Sequence, residues 1–275
     1  DERAQGAAAL MLAVRNTIET PLSEDLLFAW HRTVMAGHRH VATGQWRTDA
    51  EPMQVVAGAY GHEKVHFEAP PSSRVPSEMA RFIRWFNETA PGGRKAIQKA
   101  AVRSAVAHLY FESIHPFEDG NGRIGRALSE KALSQGLGRP ALLSLSNAIE
   151  TKRRDYYDAL KEAQQSDEIT PWVTWFVRMT VEAQAQAEAQ IDFTLKKSRL
   201  FDRHRNELNE RQLHILTRML EEGPGGFEGG MSAKKYMSIT GASKATATRD
   251  LQELTTKGIF EPIGGGRSTR YKINL

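Results

Sequence analysis

The sequence predicts a mainly α-helical protein that carries one β-hairpin and ends in a small α+β unit. Apolar residues recur at helical spacing through most of the first 200 positions, as at Met79, Phe82, Ile83 and Phe86. Strand-like runs are confined to two places, residues 55–67 and residues 259–273. Charge is unevenly placed: residues 231–275 hold eight basic and three acidic side chains, a net +5 in a chain whose total is +4. The rest is close to neutral, so two parts with different partners are expected, residues 1–205 and 206–275.

The 275 residues suffice for one full domain and a smaller second one, and 40% hydrophobic with 25% charged content is ordinary for a globular protein. The longest apolar run, residues 7–14, falls short of the ~20 residues a membrane span needs, so no membrane partner is expected. No signal peptide is visible and the chain begins at Asp1 without Met, so further residues upstream are expected. The absence of cysteine excludes disulfides, thiolate metal ligands and a cysteine nucleophile, and fits a cytoplasmic location.

Ser23 before Glu24 and Asp25 reads as an N-cap, with Leu26, Leu27, Trp30 and Val34 on one face and Gly37 at the end. Val55 and Val56 pair with Val65 and Phe67 across a turn rich in Gly58 and Gly61, giving a hairpin closed by Pro70 and Pro71. A helix starts near Pro76. After Pro91, Gly92 and Gly93, the residues Ile97, Ala101, Ala105 and His108 mark the face of a helix that runs to about Ile114. Another spans about 123–135, stopped by Gly136 and Gly138. Further helices carry Tyr156, Tyr157 and Leu160, then Trp172, Trp175 and Phe176 as core. Residues 182–190 read as the exposed part of a long helix. Beyond residue 206, Leu213, Ile215, Leu216 and Leu220 give a helix. Residues 234–258 read as helix, turn at Gly241, and a helix capped by Ser243. Two strands follow around Gly264, Gly265 and Gly266.

The densest chemistry lies at residues 115–126, His-Pro-Phe-Glu-Asp-Gly-Asn-Gly-Arg-Ile-Gly-Arg. Pro116 disfavours αR in His115, which places the imidazole at a helix end. Gly120 and Gly122 frame Asn121 in a tight turn whose backbone amides can approach an anion. Arg123 and Arg126, three apart at the next helix start, can face the same phosphates. This is a layout for a polyphosphate beside a base.

The segment resembles the Fic family signature, HxFx(D/E)GNGRxxR, and meets all its fixed positions: His115, Phe117, Asp119, Gly120, Asn121, Gly122, Arg123 and Arg126. The resemblance implies a Fic helical bundle with a β-hairpin flap at about residues 55–71, and transfer of AMP from ATP to a protein hydroxyl. His115 would then act as general base and Asp119 would hold Mg²⁺. Gly120, Asn121 with its side-chain amide, Gly122, Arg123, Ile124, Gly125 and Arg126 would bind phosphates. Phe117 would pack the loop on the core. Gly122 favours AMP transfer, because kinase relatives carry Lys at that position. Gly44, Trp46 and Arg47 are similar to the loop ahead of the family's flap. Val65, His66, Phe67 and Glu68 fall where the flap covers ATP and aligns a target segment by strand addition. Tyr156, Tyr157 and Gln164 fall at the base and ribose pocket.

The family's inhibitory motif, [ST]xxxE[GN], is not met. Thr20 with Glu24, Ser146 with Glu150, and Thr217 with Glu221 are followed by Asp25, Thr151 and Glu222. The motif is expected upstream of Asp1 or on another chain, with this stretch deregulated. The expected partners are a target protein presenting Ser, Thr or Tyr, the chain itself, and a second copy in a homodimer. A metal cluster of His62, His66 and His108 is not expected. The C-terminal unit resembles a winged helix-turn-helix, with Lys244, Thr248, Arg249, Arg267 and Arg270 as candidate DNA contacts. Protein docking by that unit stays open. Two other functions also stay open: a DNA-binding regulator whose first part senses nucleotide, and removal of AMP by the same site.

Overall fold

The computed structural model describes residues 2–38, 40–49, 53–57 and 64–275. It divides into two compact units, Asp1–Gln184 and Ala185–Leu275. The expected Gly58, Gly61 and His62 lie outside the described residues, as do the side chains of Val55, Val56, Val65, His66 and Arg267.

In the first unit α1 (Glu2–Asn16) and α2 (Glu24–Val34) lead to an antiparallel pair, β1 (Gln54–Ala57) and β2 (Lys64–Glu68), with a register shift between Val55 and Val56. Ser23 caps α2 by accepting the Leu26 amide at 3.2 Å, as its type and position predict. Then come α3 (Val75–Glu88), α4 (Ala100–Ile114), α5 (Asn121–Leu137), α6 (Leu145–Thr151), α7 (Arg153–Gln164) and α8 (Thr170–His204). The antiparallel partners α4 and α5 form the centre, and Trp30, Phe82, Phe86, Phe111, Phe117 and Leu128 fill the core around them.

Two boundaries differ from the sequence reading. Ile97 precedes α4 instead of lying on its face, because its amide donates to Thr89 O at 3.1 Å and closes the end of α3. Gly136 does not stop α5 but sits inside its last turn; a Cβ there would lie 2.4 Å from Ala100 Cβ, so the glycine permits the close approach of α4. The stop comes at Gly138, in the left-handed region at φ 63°.

Three buried cations fasten irregular segments. Lys131 Nζ donates to Thr17 O, Ile18 O and Thr20 O, while Arg103 reaches Phe86 O, Ala132 O, Thr89 Oγ1 and Gln135 Oε1. Arg47 fastens the loop after α4, as described below. Lys131 thereby fastens the loop between α1 and α2 to α5, and Arg103 ties the end of α3 to α5.

In the second unit the end of α8 joins α9 (Glu210–Leu220), α10 (Ala233–Thr240), α11 (Lys244–Thr256), β3 (Phe260–Ile263) and β4 (Arg270–Ile273). Phe193, Leu200 and Phe201 of α8 pack on this unit's core of Ile215, Leu216, Tyr236, Leu251 and Leu254. That is why the division between the units falls within α8. Gly241 ends α10 in the left-handed region and Ser243 caps α11, the expected helix-turn-helix. Asp250, 1% exposed, ties three helices together by accepting bonds from Tyr236 Oη at 2.9 Å and Arg211 Nε at 3.0 Å.

Candidate active site

The helix α4 ends at His115, which alone among the described non-glycine residues has positive φ, at φ 50° and ψ 61°. A strained conformation of this kind persists only where its surroundings over-determine it, and several contacts do so. The Asn121 side chain accepts the Phe117 amide at 2.9 Å and donates to Phe117 O at 2.8 Å, closing the loop. Arg47 Nε donates to His115 O at 2.8 Å, and Arg47 N donates to Pro116 O at 2.9 Å. His31 stacks on Phe117 with ring centroids 3.9 Å apart. Its Nδ1 accepts the Gly44 amide, so its Nε2–H donates to Asp119 O at 3.0 Å. Glu118 accepts the Ala42 amide.

Two sequence expectations change here. The Asn121 side-chain amide holds the loop rather than facing a phosphate, which leaves the backbone amides for that task. Arg123 donates to Val34 O at 3.0 Å and meets Met35 Sδ at 2.9 Å at the end of α2, with the Asp119 carboxylate 3.8 Å away. It therefore stays out of the cleft that Arg126 shares with His115, because the end of α2 competes for its guanidinium, and meets Arg126 only at a smaller cavity against α1.

That cleft, about 700 Å³, is lined by Phe67 of β2, Glu112 and His115, Gly122 and Arg126 of α5, Ser146 of α6, and Tyr156, Tyr157, Leu160 and Gln164 of α7. Arg126 Nε donates to Ser146 Oγ at 2.9 Å. The first-turn amides of α5, those of Asn121 and Gly122 among them, have no acceptor within the helix and carry the positive end of its dipole. Asp119 accepts the Gly120 amide at 2.5 Å and keeps its side chain 57% exposed. Glu68 is exposed and is not part of the lining. Ile124 and Gly125 are buried against the helix core and not in the cleft.

Burial dominates the electrostatics. It pushes the His115 imidazole down to about 4 and the Glu112 carboxyl up to about 7. It also pushes His108 down to about 3. The neutral His108 sits in a relay: Tyr156 Oη donates to its Nε2 at 2.9 Å, its Nδ1–H donates to Ser129 Oγ at 3.1 Å, and Ser129 Oγ donates to Gly125 O. Tyr156 thus offers the cleft its ring and keeps its hydroxyl in the core.

Residues 21–133 match the Fic/DOC family, and residues 228–274 match the C-terminal domain of the DIP2311-like transcriptional regulators. Residues 21–133 are therefore similar to a Fic domain. Similar curated proteins include a probable protein adenylyltransferase of Aquifex aeolicus, 30% identical over 54% of this chain and 39% of its own. The protein adenylyltransferase Fic of Nematostella vectensis is 28% identical over 54% of this chain and 30% of its own. The chain spans well under half the length of these relatives. Among solved structures, a Fic family protein of Desulfovibrio desulfuricans covers 98% of this chain and 74% of its own at 24% identity and TM-score 0.54. Fic-1 of C. elegans, residues 134–508, covers 72% and 52% at 24% identity and TM-score 0.52. These likenesses support the same fold.

Within the first unit the signature and the α7 tyrosines are legible in the sequence, but Glu112, His31 and Ser146 are not. For Glu112 there was one signal: an acid beside Phe111 on a helix otherwise built to be buried. His31 gave none, since its partners lie 13 and 88 positions away. Among the described residues no helix is long and apolar enough to cross a membrane, and no cluster of three His, Asp or Glu could hold a metal alone. In the second unit Lys244, Thr248, Arg249 and Arg270 are exposed, with Arg249 4.0 Å from Glu253.

Proposed function

We propose that this chain is a protein adenylyltransferase, transferring AMP from ATP to a hydroxyl of a target protein and releasing pyrophosphate. The observation that carries this reading is the meeting of His115, Gly122 and Arg126 with Phe67 and Tyr157 on one cleft. A base, an anion-binding helix start and an aromatic wall then share a volume suited to a nucleotide.

The neutral imidazole of His115 takes the proton of the target hydroxyl as its oxygen attacks the α-phosphorus. The bond to the bridging oxygen breaks and pyrophosphate leaves. The amides of Asn121 and Gly122 hold the oxygens on which charge builds, and Arg126 pairs with the departing phosphates. Tyr157, Leu160 and Gln164 bound the end of the cleft that takes adenosine. Asp119 fits a Mg²⁺ site: one exposed hard carboxylate beside a phosphate-binding turn is the donor set this ion uses together with phosphates and water. When bound there it would neutralise phosphate charge.

ATP labelled at the α-phosphate, incubated with the chain and candidate targets, should leave label on protein, and His115→Ala should abolish it. Equal labelling by the variant would refute the reading, and retention from γ-labelled ATP would indicate a kinase.

For the second unit we propose DNA binding through α11 and the β3–β4 wing. The match of residues 228–274 to a transcriptional regulator domain and the exposed basic face of α11 support it. A gel shift that fails to appear at low salt would refute it and favour protein docking.

A further inference from the structure

We infer that Glu112 is the positioning partner of His115: its carboxylate accepts the Nδ1–H of the imidazole and leaves Nε2 as the atom that takes the target's proton. The inference rests on the adenylyl-transfer reading and adds a residue to it.

Glu112 Oε1 and His115 Nδ1 are buried polar atoms that meet no hydrogen-bond partner among the described residues. They belong to side chains that already approach each other, with Glu112 Oε2 3.8 Å from His115 Nδ1. Both side chains line the cleft, 6% and 15% exposed. Folded interiors leave few polar atoms unpaired. Closing this gap by about 1 Å satisfies both groups, and catalytic hydrogen bonds commonly tighten when substrate binds.

The fold makes room for this carboxylate. A Cβ on Gly125 would lie 2.2 Å from Glu112 Oε1, so any other residue at 125 would displace it. Packing alone would be served by an apolar side chain, and burying a carboxylate instead is unfavourable unless it has a charged or hydrogen-bonded partner. The groups facing the pair come from every neighbouring element. They are Arg126 of α5, Tyr156 of α7, Arg47 and Asp119 of the flanking loops, and the main-chain carbonyl of Glu112 itself, the rival acceptor for the ring.

Chemically, the proton of the target hydroxyl passes to His115 Nε2 while its oxygen bonds to the α-phosphorus. The electron pair of the broken P–O bond leaves with pyrophosphate. The imidazolium then carries a positive charge in a buried site, and the Glu112 carboxylate behind Nδ1 offsets it, as carboxylates do behind other histidine bases. Burial works against His115 as a base, and an anion at Nδ1 works the other way.

Two measurements decide the matter. In the transfer assay Glu112→Gln should lower kcat about 100-fold, the smaller end of a general base's contribution, shift the pH–rate profile, and leave the Kd for ATP within about twofold; Glu112→Asp should restore part of the rate. Loss of ATP binding in step with kcat, or an unshifted profile, would assign Glu112 a packing role and overturn the proposal. The second needs neither ATP nor activity, so it stands even if no transfer is found. With ¹⁵N-labelled histidine and ¹³C-labelled glutamate, the His115 ring and Glu112 carboxyl of the wild-type chain should titrate in the same two steps. The ring should be protonated at Nδ1, and Glu112→Gln should lower the His115 pKa. Independent titrations, or an Nε2–H ring, would overturn it even where the glutamine variant does not fold.

Discussion

Arg47 Nε donates to the main-chain carbonyl of His115 at 2.8 Å, and the same guanidinium reaches Pro70 O beyond β2. One buried side chain therefore clamps the strained residue of the signature loop and the base of the hairpin. Arg47→Lys keeps the charge but not the fork that spans both carbonyls. The variant should fold with a lower Tm and bind ATP within about threefold of the wild type. Turnover should fall about 100-fold, the scale of a small misplacement of a reacting group. Equal changes in Kd and kcat would show that the clamp does not act through His115.

Arg126 is the signature cation that lines the cleft, and its bond to Ser146 Oγ holds it there. Charge-assisted hydrogen bonds contribute about 1.5–3 kcal/mol, so Arg126→Ala should weaken ATP binding roughly 10- to 100-fold by calorimetry while AMP binding changes less. Gly122→Ala should have a milder effect of the same kind, because its Cβ would lie 3.2 Å from Arg126 Nη1. Equal losses for ATP and AMP would move Arg126 away from the terminal phosphates.

Stability should be limited by different groups on the two sides of neutrality. His108 has a folded-state pKa near 3 against an ordinary 6.5. Its contribution is therefore complete above pH 6.5 and is lost as pH falls toward 3. Glu112 is the reverse, raised from 4.5 to about 7, so its contribution is complete below pH 4.5 and is lost as pH rises through 7. Tm measured from pH 3.5 to 8.5 should peak between these limits. Glu112→Gln should raise Tm at pH 8, by an amount worth about 3 kcal/mol at most, and His108→Gln should flatten the acid limb. A Glu112→Gln chain that keeps the wild-type alkaline limb would contradict the burial argument.

In the second unit, Arg249 and Arg270 are exposed and flank the candidate DNA face. If each contacts a phosphate, replacement by Ala should weaken binding to unrelated duplexes alike and reduce the slope of log K against log salt by about one. An unchanged slope would place these residues off the DNA.

The parts of this protein that were legible in the sequence are those whose determinants are local. Ser23, Ser243, Gly138 and Gly241 mark helix ends through their own backbone preferences. His115, Gly122 and Arg126 come together because they occupy a few turns of chain. What could not be read depends on distant partners. Asn121 has the same spacing whether its amide faces a phosphate or Phe117, and only the folded loop chooses. Arg123 and Arg126 look equivalent until the carbonyl of Val34 captures one of them. Ile97 continues the apolar spacing of α4, yet its amide is taken by Thr89 O. Gly136 looked like a stop and is a point of contact with Ala100.

The Asn121 side chain, bonded at both ends to Phe117, bears on how this protein ages. Asn followed by Gly is the pair most prone to spontaneous deamidation, since the next amide nitrogen can cyclise onto the side chain when the backbone is loose. Here that side chain is held and Gly122 is already helical, so the reaction is confined to molecules whose loop has opened. Each event replaces the amide that donates to Phe117 O with a carboxylate that cannot, which makes the chemical lifetime of the site a record of how often the loop lets go.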